Sequence, residues 1–233
     1  MSNIENRLYP VDVALSPSVI LDRHQQIITK HGLKNFLTRR EFKRAREMYQ
    51  TAIYAVGMTA KTGCFYWVAP SKDNTPDCYL IWQQNGELAI ECVEITLWNE
   101  RVETMWEIIE KKINKQYPAF FSVVIHDSRA GESVSSGYYQ TLHEKLIARA
   151  IPAGAVRFWT EINNNGEKNV LLGELYPRND WTEFSANYVL SKYHLSPELI
   201  KIDVHSSGRR ITFVHGDLHD VRLEELPDLD FQY

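Results

Sequence analysis

Apolar residues recur at helical spacing through Phe42, Ala45, Tyr49, Ala52, Ile53 and Val56, which predicts an amphipathic helix over residues 39–58. Thr38, with Glu41 three residues later, has the form of a capping box at its start. The pattern then changes. The runs "CFYWVAP" (64–70), "CYLIWQQ" (78–84) and "ELAIECVEIT" (87–96) are rich in aromatic and β-branched residues, and each predicts a strand. Asn85-Gly86 between the last two is a short-range hairpin signal, so the three strands read as an antiparallel meander.

Asn99 is placed to cap a further helix whose apolar stripe is Val102, Met105, Trp106, Ile109 and Ile113. After Pro118, "AFFSVVI" (119–125) predicts a strand buried on both faces. A helix around "SGYYQTLHEKLIARA" (136–150) precedes a hairpin of "AVRFWTEI" and "KNVLLGEL", turned at "NNNGE". Beyond the linker "YPRND" come a helix with Phe184, Tyr188 and Val189, then a hairpin of "LIKIDV" and "RITFVH". The leading arm, residues 1–33, carries one short helix that starts near Ser16-Pro17 and is closed by Gly32. The expected fold is α/β. Its core, residues 34–176, is a mixed central sheet flanked by helices, in the order helix, three-stranded meander, helix, strand. An α+β subdomain, residues 177–233, is appended at the C-terminus.

Composition adjusts this picture in three places. The chain has 233 residues, 44% of them hydrophobic, enough for one sizeable core. It has no basic leader followed by an apolar stretch and no apolar run of roughly 18 residues, so the expectation is a soluble, cytoplasmic protein. Cys64, Cys78 and Cys92 each sit in an apolar run and lack tight metal-ligand spacing, and they are expected as buried, reduced thiols. The net charge of -4 conceals a cluster of Lys34, Arg39, Arg40, Lys43, Arg44 and Arg46. Those side chains fit the solvated face of a helix, and they equally fit a face that contacts phosphates.

The meander holds the candidate chemistry. If Asn85 and Gly86 are the two residues of a type I′ turn, Gln84 pairs with Glu87 and, counting outward, Asp77 lies opposite Glu94. Directly opposed residues share a face with Cβ atoms roughly 4.5 to 5.5 Å apart, so the two carboxylates converge. Glu91 then falls opposite Leu80 on the other face. Two carboxylates this close repel unless a cation lies between them, and a hard divalent ion such as Mg2+ or Mn2+ suits oxygen ligands. The other reading is that one acid is protonated or reaches solvent, and a single bulge would move the register.

Pro76-Asp77, a hairpin, and then Val93-Glu94-Ile95-Thr96 resemble the motif of the PD-(D/E)XK nuclease superfamily, the restriction-endonuclease-like fold. The resemblance covers about residues 36–126 and includes the element order. It implies a metal-dependent endonuclease, a Mg2+-dependent enzyme cutting DNA, with Asp77 and Glu94 as metal ligands and the basic cluster as a nucleic-acid contact. Thr96 stands where the family has a catalytic lysine, and Lys111 or Lys112 on the following helix is a candidate replacement for the charge. An acid on the helix before the meander often joins the site in this family; Glu41 is the candidate here, and its capping-box role is the competing reading. Cutting both strands implies a homodimer, with the C-terminal subdomain supplying dimerisation or target contacts. The alternative that Thr96 raises is an inactive nuclease-like module that binds nucleic acid or a protein partner.

Near the C-terminus, His215-Gly216-Asp217-Leu218-His219 resembles the catalytic loop of aminoglycoside and choline kinases, although Arg222 occupies the position of the metal-binding asparagine and no glycine-rich loop is present. Strand-end polar residues are the preferred account of this segment. A zinc site from His215, Asp217 and His219 would need further ligands.

Overall fold

The computed structural model describes residues 13–72, 76–82, 86–95, 105–115, 121–128, 136–149, 154–164, 167–191, 199–205 and 208–212. Strand β1 (Val13–Leu15) leads into helix α1 (Pro17–His31), whose first residue is a proline that needs no N–H partner. The helix stops at Gly32, where φ is 80° and the N–H reaches the Ile28 carbonyl at 2.8 Å. Helix α2 (Leu33–Thr38) and a 3-10 turn (Arg40–Phe42) follow, and the long helix α3 runs over Lys43–Thr62. It ends on Gly63, left-handed at φ 74°, a conformation that favours glycine. The expected capping box does not form. Thr38 Oγ1 donates back to the Lys34 carbonyl at 2.8 Å, so Thr38 closes α2, and the long helix begins after the 3-10 turn.

The remaining elements are β2 (Tyr66–Pro70), β3 (Cys78–Trp82), β4 (Gly86–Ile95), α4 (Met105–Ile113), β5 (Phe121–Asp127), α5 (Ser136–Arg149), β6 (Ala155–Asn164), β7 (Glu167–Tyr176), β8 (Asp180–Phe184), α6 (Ala186–Ser191), β9 (Leu199–His205) and β10 (Gly208–Thr212). Among the described residues ten strands form one mixed sheet, ordered β10-β9-β1-β2-β3-β4-β5-β6-β7-β8. The chain is therefore mixed α/β. Strand β4 pairs parallel with β5, and β5 parallel with β6, while the other pairs are antiparallel. Two features differ from the expected plan. Strand β8 lies where a linker and the start of a helix are expected, and it pairs with β7. The C-terminal hairpin joins the same sheet, because β9 pairs with β1 in the leading arm.

Helices cover both faces. On one, α3 packs Ala45, Met48, Ala52 and Val56 against Cys78, Leu80, Ile90 and Cys92, with α1 alongside. Gly57 lets α3 approach β7 closely, since a Cβ there would lie 2.7 Å from Leu172 Cδ2. On the other face, Ile109 and Ile113 of α4 and Leu142 and Leu146 of α5 pack on Ala89, Val93, Val123 and Ile125. Arg157 of β6 ties the layers together, donating to Tyr54 Oη at 2.7 Å and pairing with Glu174 at 2.9 Å. Among the described residues no helix is long and apolar enough to cross a membrane.

The register of the β3/β4 hairpin corrects the sequence expectation. Trp82 pairs with Gly86 and Cys78 with Ile90, so three residues lie between the paired ends, where a type I′ turn has two. Gly86 stands in the ladder itself. The Trp82 ring lies over it, and a Cβ at Gly86 would come within 2.0 Å of Trp82 Cε2. An aromatic ring covering a cross-strand glycine recovers apolar contact that the glycine lacks, which fixes this pairing over its neighbours. The odd-numbered shift takes Glu94 away from the place opposite Asp77: the ladder ends at Cys78 and Ile90, and Glu91 is the strand acid whose charge acts on Asp77.

Candidate active site

The edge of β4 that faces β3 loses its strand partner just beyond Ile90. Asp77, the residue before β3, continues the ladder in part: its N–H donates to the Ile90 carbonyl at 3.0 Å. Its side chain does the rest. Asp77 Oδ2 accepts from the Cys92 N–H at 2.8 Å, taking a backbone donor that a longer β3 would have satisfied. The Asp77 carboxylate is thereby held at the split between the two strands, only 7% exposed.

Glu91 lies on the face covered by α4, where its side chain is 3% exposed and its charge acts on Asp77. Lys112 of α4 donates from Nζ to Glu91 Oε1 at 2.7 Å and to the Cys92 carbonyl at 3.3 Å, and Lys115 Nζ stands 3.9 Å from the same carboxylate oxygen. A third acid arrives from α3. Glu47 accepts from Lys43 Nζ at 2.9 Å, and the same ammonium is 4.0 Å from Asp77 Oδ1. Burial works to lower the Lys43 pKa, but the hydrogen bond to Glu47 and the charges of Glu47, Asp77 and Glu91 outweigh it, so the net shift is upward.

The electrostatic consequence falls on Asp77. Burial first, and then the charges of Glu47 and Glu91, push its carboxyl up to about 7, against the opposing pull of the Cys92 N–H and Lys112. Three carboxylates from three elements with oxygen-only donors form the kind of set that prefers a hard divalent ion. Among the described residues no three His, Cys, Asp or Glu side chains are grouped closely enough to hold a metal ion. Positive charge at the cluster comes from Lys43 and Lys112, and a divalent ion would meet the same need. The oxygen donors are of the type that Mg2+ or Mn2+ takes, but ammonium groups meet their charge in this arrangement, and Asp77, Glu91 and Glu47 would have to draw together to hold an ion.

The structure separates other residues that the sequence reading joined. Glu94 projects to the α3 face, 3.8 Å from Arg46 Nε and 3.8 Å from His126 Nδ1, and the register does not set it opposite Asp77. Glu41 pairs with Arg39 at 3.4 Å on the 3-10 turn, and the acid of this region that reaches Asp77 is Glu47, one and a half turns further on. Thr96 and the residues 215–219 lie outside the described residues.

The basic cluster also divides. Arg46 Nη1 donates to the carbonyls of Phe36 at 2.6 Å and Arg39 at 3.0 Å, and Arg44 Nη2 to that of Ser71 at 3.3 Å, so both fasten α3 to neighbouring backbone. Lys34, Arg40 and Lys43 are exposed. Cys78 and Cys92 are buried free thiols as expected, whereas Cys64 is exposed, because β2 starts only at Tyr66.

Sequence reading missed Glu91 and Glu47 as members of the cluster. Two signals were present: Trp82 four residues before Gly86, which permits an aromatic ring over glycine in a longer loop, and Lys43 with Glu47 at i,i+4 spacing. Searches against protein families, curated proteins and solved structures give no match, so the site is interpreted from its own geometry.

Proposed function

We propose that the protein is a metal-dependent phosphodiester hydrolase acting on nucleic acid, most simply a DNA endonuclease. One observation carries the reading: the Asp77 carboxylate sits at the split of β3 and β4 within reach of the charges of Glu47 and Glu91, with Lys112 2.7 Å from Glu91 and Glu47 joined to Asp77 through Lys43. The resemblance to the PD-(D/E)XK superfamily is redrawn on these residues. Asp77 and Glu91 take the two acid positions, Glu47 takes the acid of the preceding helix, and Lys112 supplies from α4 the charge for which the strand has Val93.

Hydrolysis here means that a water oxygen forms a bond to phosphorus while the bond to one ester oxygen breaks and that oxygen takes up a proton. A bound Mg2+ or Mn2+ would supply Lewis-acid polarisation of the phosphate and a lower pKa for a coordinated water. Lys112 is held at a fixed position by Glu91 and the Cys92 carbonyl, and its ammonium can donate to a phosphate oxygen as charge builds there. Asp77 is oriented by the Cys92 N–H, which leaves Oδ1 as the oxygen facing Lys43 and the cluster. Exposed Lys34, Arg40 and Lys43 give a chain of net charge -4 a local positive track for phosphates.

The test is cleavage of supercoiled plasmid in Mg2+ or Mn2+ by the wild type, Asp77→Asn and Glu91→Gln. Metal-dependent nicking that both variants lose supports the reading, and equal rates in all three proteins contradict it. A second reading has its own observation: ammonium groups already neutralise these carboxylates, as they would in an inactive module that only binds nucleic acid or a protein. DNA binding by all three proteins with no cleavage would favour it.

A further inference from the structure

On the opposite face of β4 lies a separate cavity of about 300 Å3, bounded by α1, α2, α3 and the ends of β4, β5 and β6. Its walls are apolar at one side, with Leu33, Phe36 and Leu37, and polar at the other, with Gln50, Glu94 and His126. The polar groups are under-used. Gln50 is 3% exposed and its amide Oε1 has no hydrogen-bond partner, nor does the buried Nδ1 of His126. The Glu94 side chain makes no hydrogen bond among the described residues, since Arg46 Nε and His126 Nδ1 each stand 3.8 Å away. Leaving a buried acceptor without a donor is costly, so such a group points to a missing occupant.

The chemistry of the walls narrows the occupant. His126 lies flat on Trp159 with centroids 3.7 Å apart, and His24 lies flat on Tyr49 at 3.8 Å, so both rings are fixed in place and present edges. Burial lowers both imidazoles, His24 to about 4 and His126 to about 3, which leaves them neutral. Arg46 balances Glu94 in charge. An uncharged, flat molecule with N–H donors on its edge fits this set better than an anion, and among the described residues no three side chains are placed to hold a metal. The volume is at the small end for ligand pockets and suits a single heterocycle. At the rim, Leu33 is 55% exposed and Lys34 beside it is exposed. The cavity and the hydrolytic cluster are served by adjoining faces of α3, through Arg46, Tyr49 and Gln50 on one side and Lys43 and Glu47 on the other.

We propose that this cavity receives one amino-bearing nucleobase, cytosine, adenine or guanine, turned out of a strand whose phosphates lie along Lys34 and Arg40. Gln50 Oε1 and the Glu94 carboxylate would accept the two hydrogens of its exocyclic amino group, which thymine, with a carbonyl in place of the amine, does not have. The strand in this proposal rests on the nucleic-acid reading above, whereas the base specificity rests on the cavity alone. Donors supplied to the buried Gln50 Oε1 and the part-buried Glu94 carboxylate offset the cost of taking the base out of the stack.

The experiment measures fluorescence anisotropy of three single-stranded oligonucleotides in EDTA, identical except for a central cytosine, thymine or abasic site. The expected result is that cytosine binds about tenfold more tightly than the abasic strand and clearly more tightly than thymine, from one good pair of hydrogen bonds. Gln50→Leu and Glu94→Gln, each checked for folding by thermal unfolding, should bring cytosine within about twofold of the abasic strand. Equal affinity of the wild type for all three strands overturns the base site, as does failure to bind any of them. Plasmid cleavage measured in parallel keeps the two readings apart. Cleavage without base discrimination overturns this inference and leaves the hydrolase, and discrimination without cleavage supports the cavity and counts against the hydrolase.

Discussion

Lys112 Nζ donates to Glu91 Oε1 across 2.7 Å, joining helix α4 to a carboxylate that is 3% exposed in the middle of the sheet. Removing one partner of a buried pair leaves the other charge uncompensated, at a cost of about 3 kcal/mol. Lys112→Ala should lower stability to urea by about that amount, while Glu91→Gln with Lys112→Met together should recover most of it. Loss of activity should exceed what stability explains: where the folded fraction is held constant, Lys112→Ala should reduce hydrolysis by about 100-fold. A double-mutant cycle on the two residues measures both effects.

Asp77 gives the stability curve a pH dependence of known sign. Burial and two neighbouring carboxylates raise its folded-state pKa from 3.8 to about 7, so its ionisation is disfavoured in the folded chain. The penalty is absent below pH 3.8, grows through the window between the two values and is complete above 7. Asp77→Asn should therefore be more stable than the wild type at pH 8, by on the order of 3 kcal/mol, and equal to it near pH 4. Chemical unfolding at the two pH values checks this.

The hairpin register was not legible in the sequence for a definite reason. Asn85-Gly86 is a turn signal, and the two-residue turn it suggests is physically sound, but Trp82 gains more by covering Gly86 in the ladder. The three-residue shift in pairing takes Glu94 away from Asp77 and leaves Glu91 as the strand acid whose charge acts on it. Helix α3 and all three meander strands were legible because their apolar periodicity is strong. Strands β1 and β8 were not, since three residues (Val13–Leu15) and the half-exposed "DWTEF" carry too little pattern to outweigh the proline-containing segments beside them. Glu41 is the helix acid expected from sequence because it lies nearer the apolar stripe than Glu47, but the start of the helix is a 3-10 turn on which Glu41 pairs with Arg39.

The same contact supports a mutational test. A Cβ at Gly86 would meet the Trp82 ring at 2.0 Å, so Gly86→Val should destabilise by about 1 to 3 kcal/mol. Gly86→Val combined with Trp82→Ala should lose less than the two changes added together, because the clash disappears with the ring. Urea unfolding of the three variants gives the coupling.

Acid stability reports on the second cavity. His24 and His126 have folded-state pKa values lowered by burial from 6.5 to about 4 and about 3. Their neutral forms contribute stability that is complete above 6.5 and is lost as pH falls toward those values. Replacing His126 by Phe should flatten the fall in melting temperature between pH 6.5 and pH 4, as read by scanning calorimetry.

Salt dependence separates phosphate contact from structural use of the basic residues. With Arg44 and Arg46 fastened to backbone carbonyls, three exposed side chains, Lys34, Arg40 and Lys43, remain for phosphates. The slope of log affinity against log salt on duplex DNA should be about -3, and replacing Lys34 and Arg40 by Gln should reduce it to about -1.

Mn2+ binding followed by electron paramagnetic resonance tests the central claim most directly, because it reads the acid cluster without requiring turnover. The account predicts one Mn2+ site in the wild type at pH 7.5 that Asp77→Asn and Glu91→Gln each abolish or weaken by at least about tenfold, and that Glu94→Gln retains. Loss of the site in Glu94→Gln with retention in Glu91→Gln would contradict it, and would restore the facing pair that a two-residue turn implies.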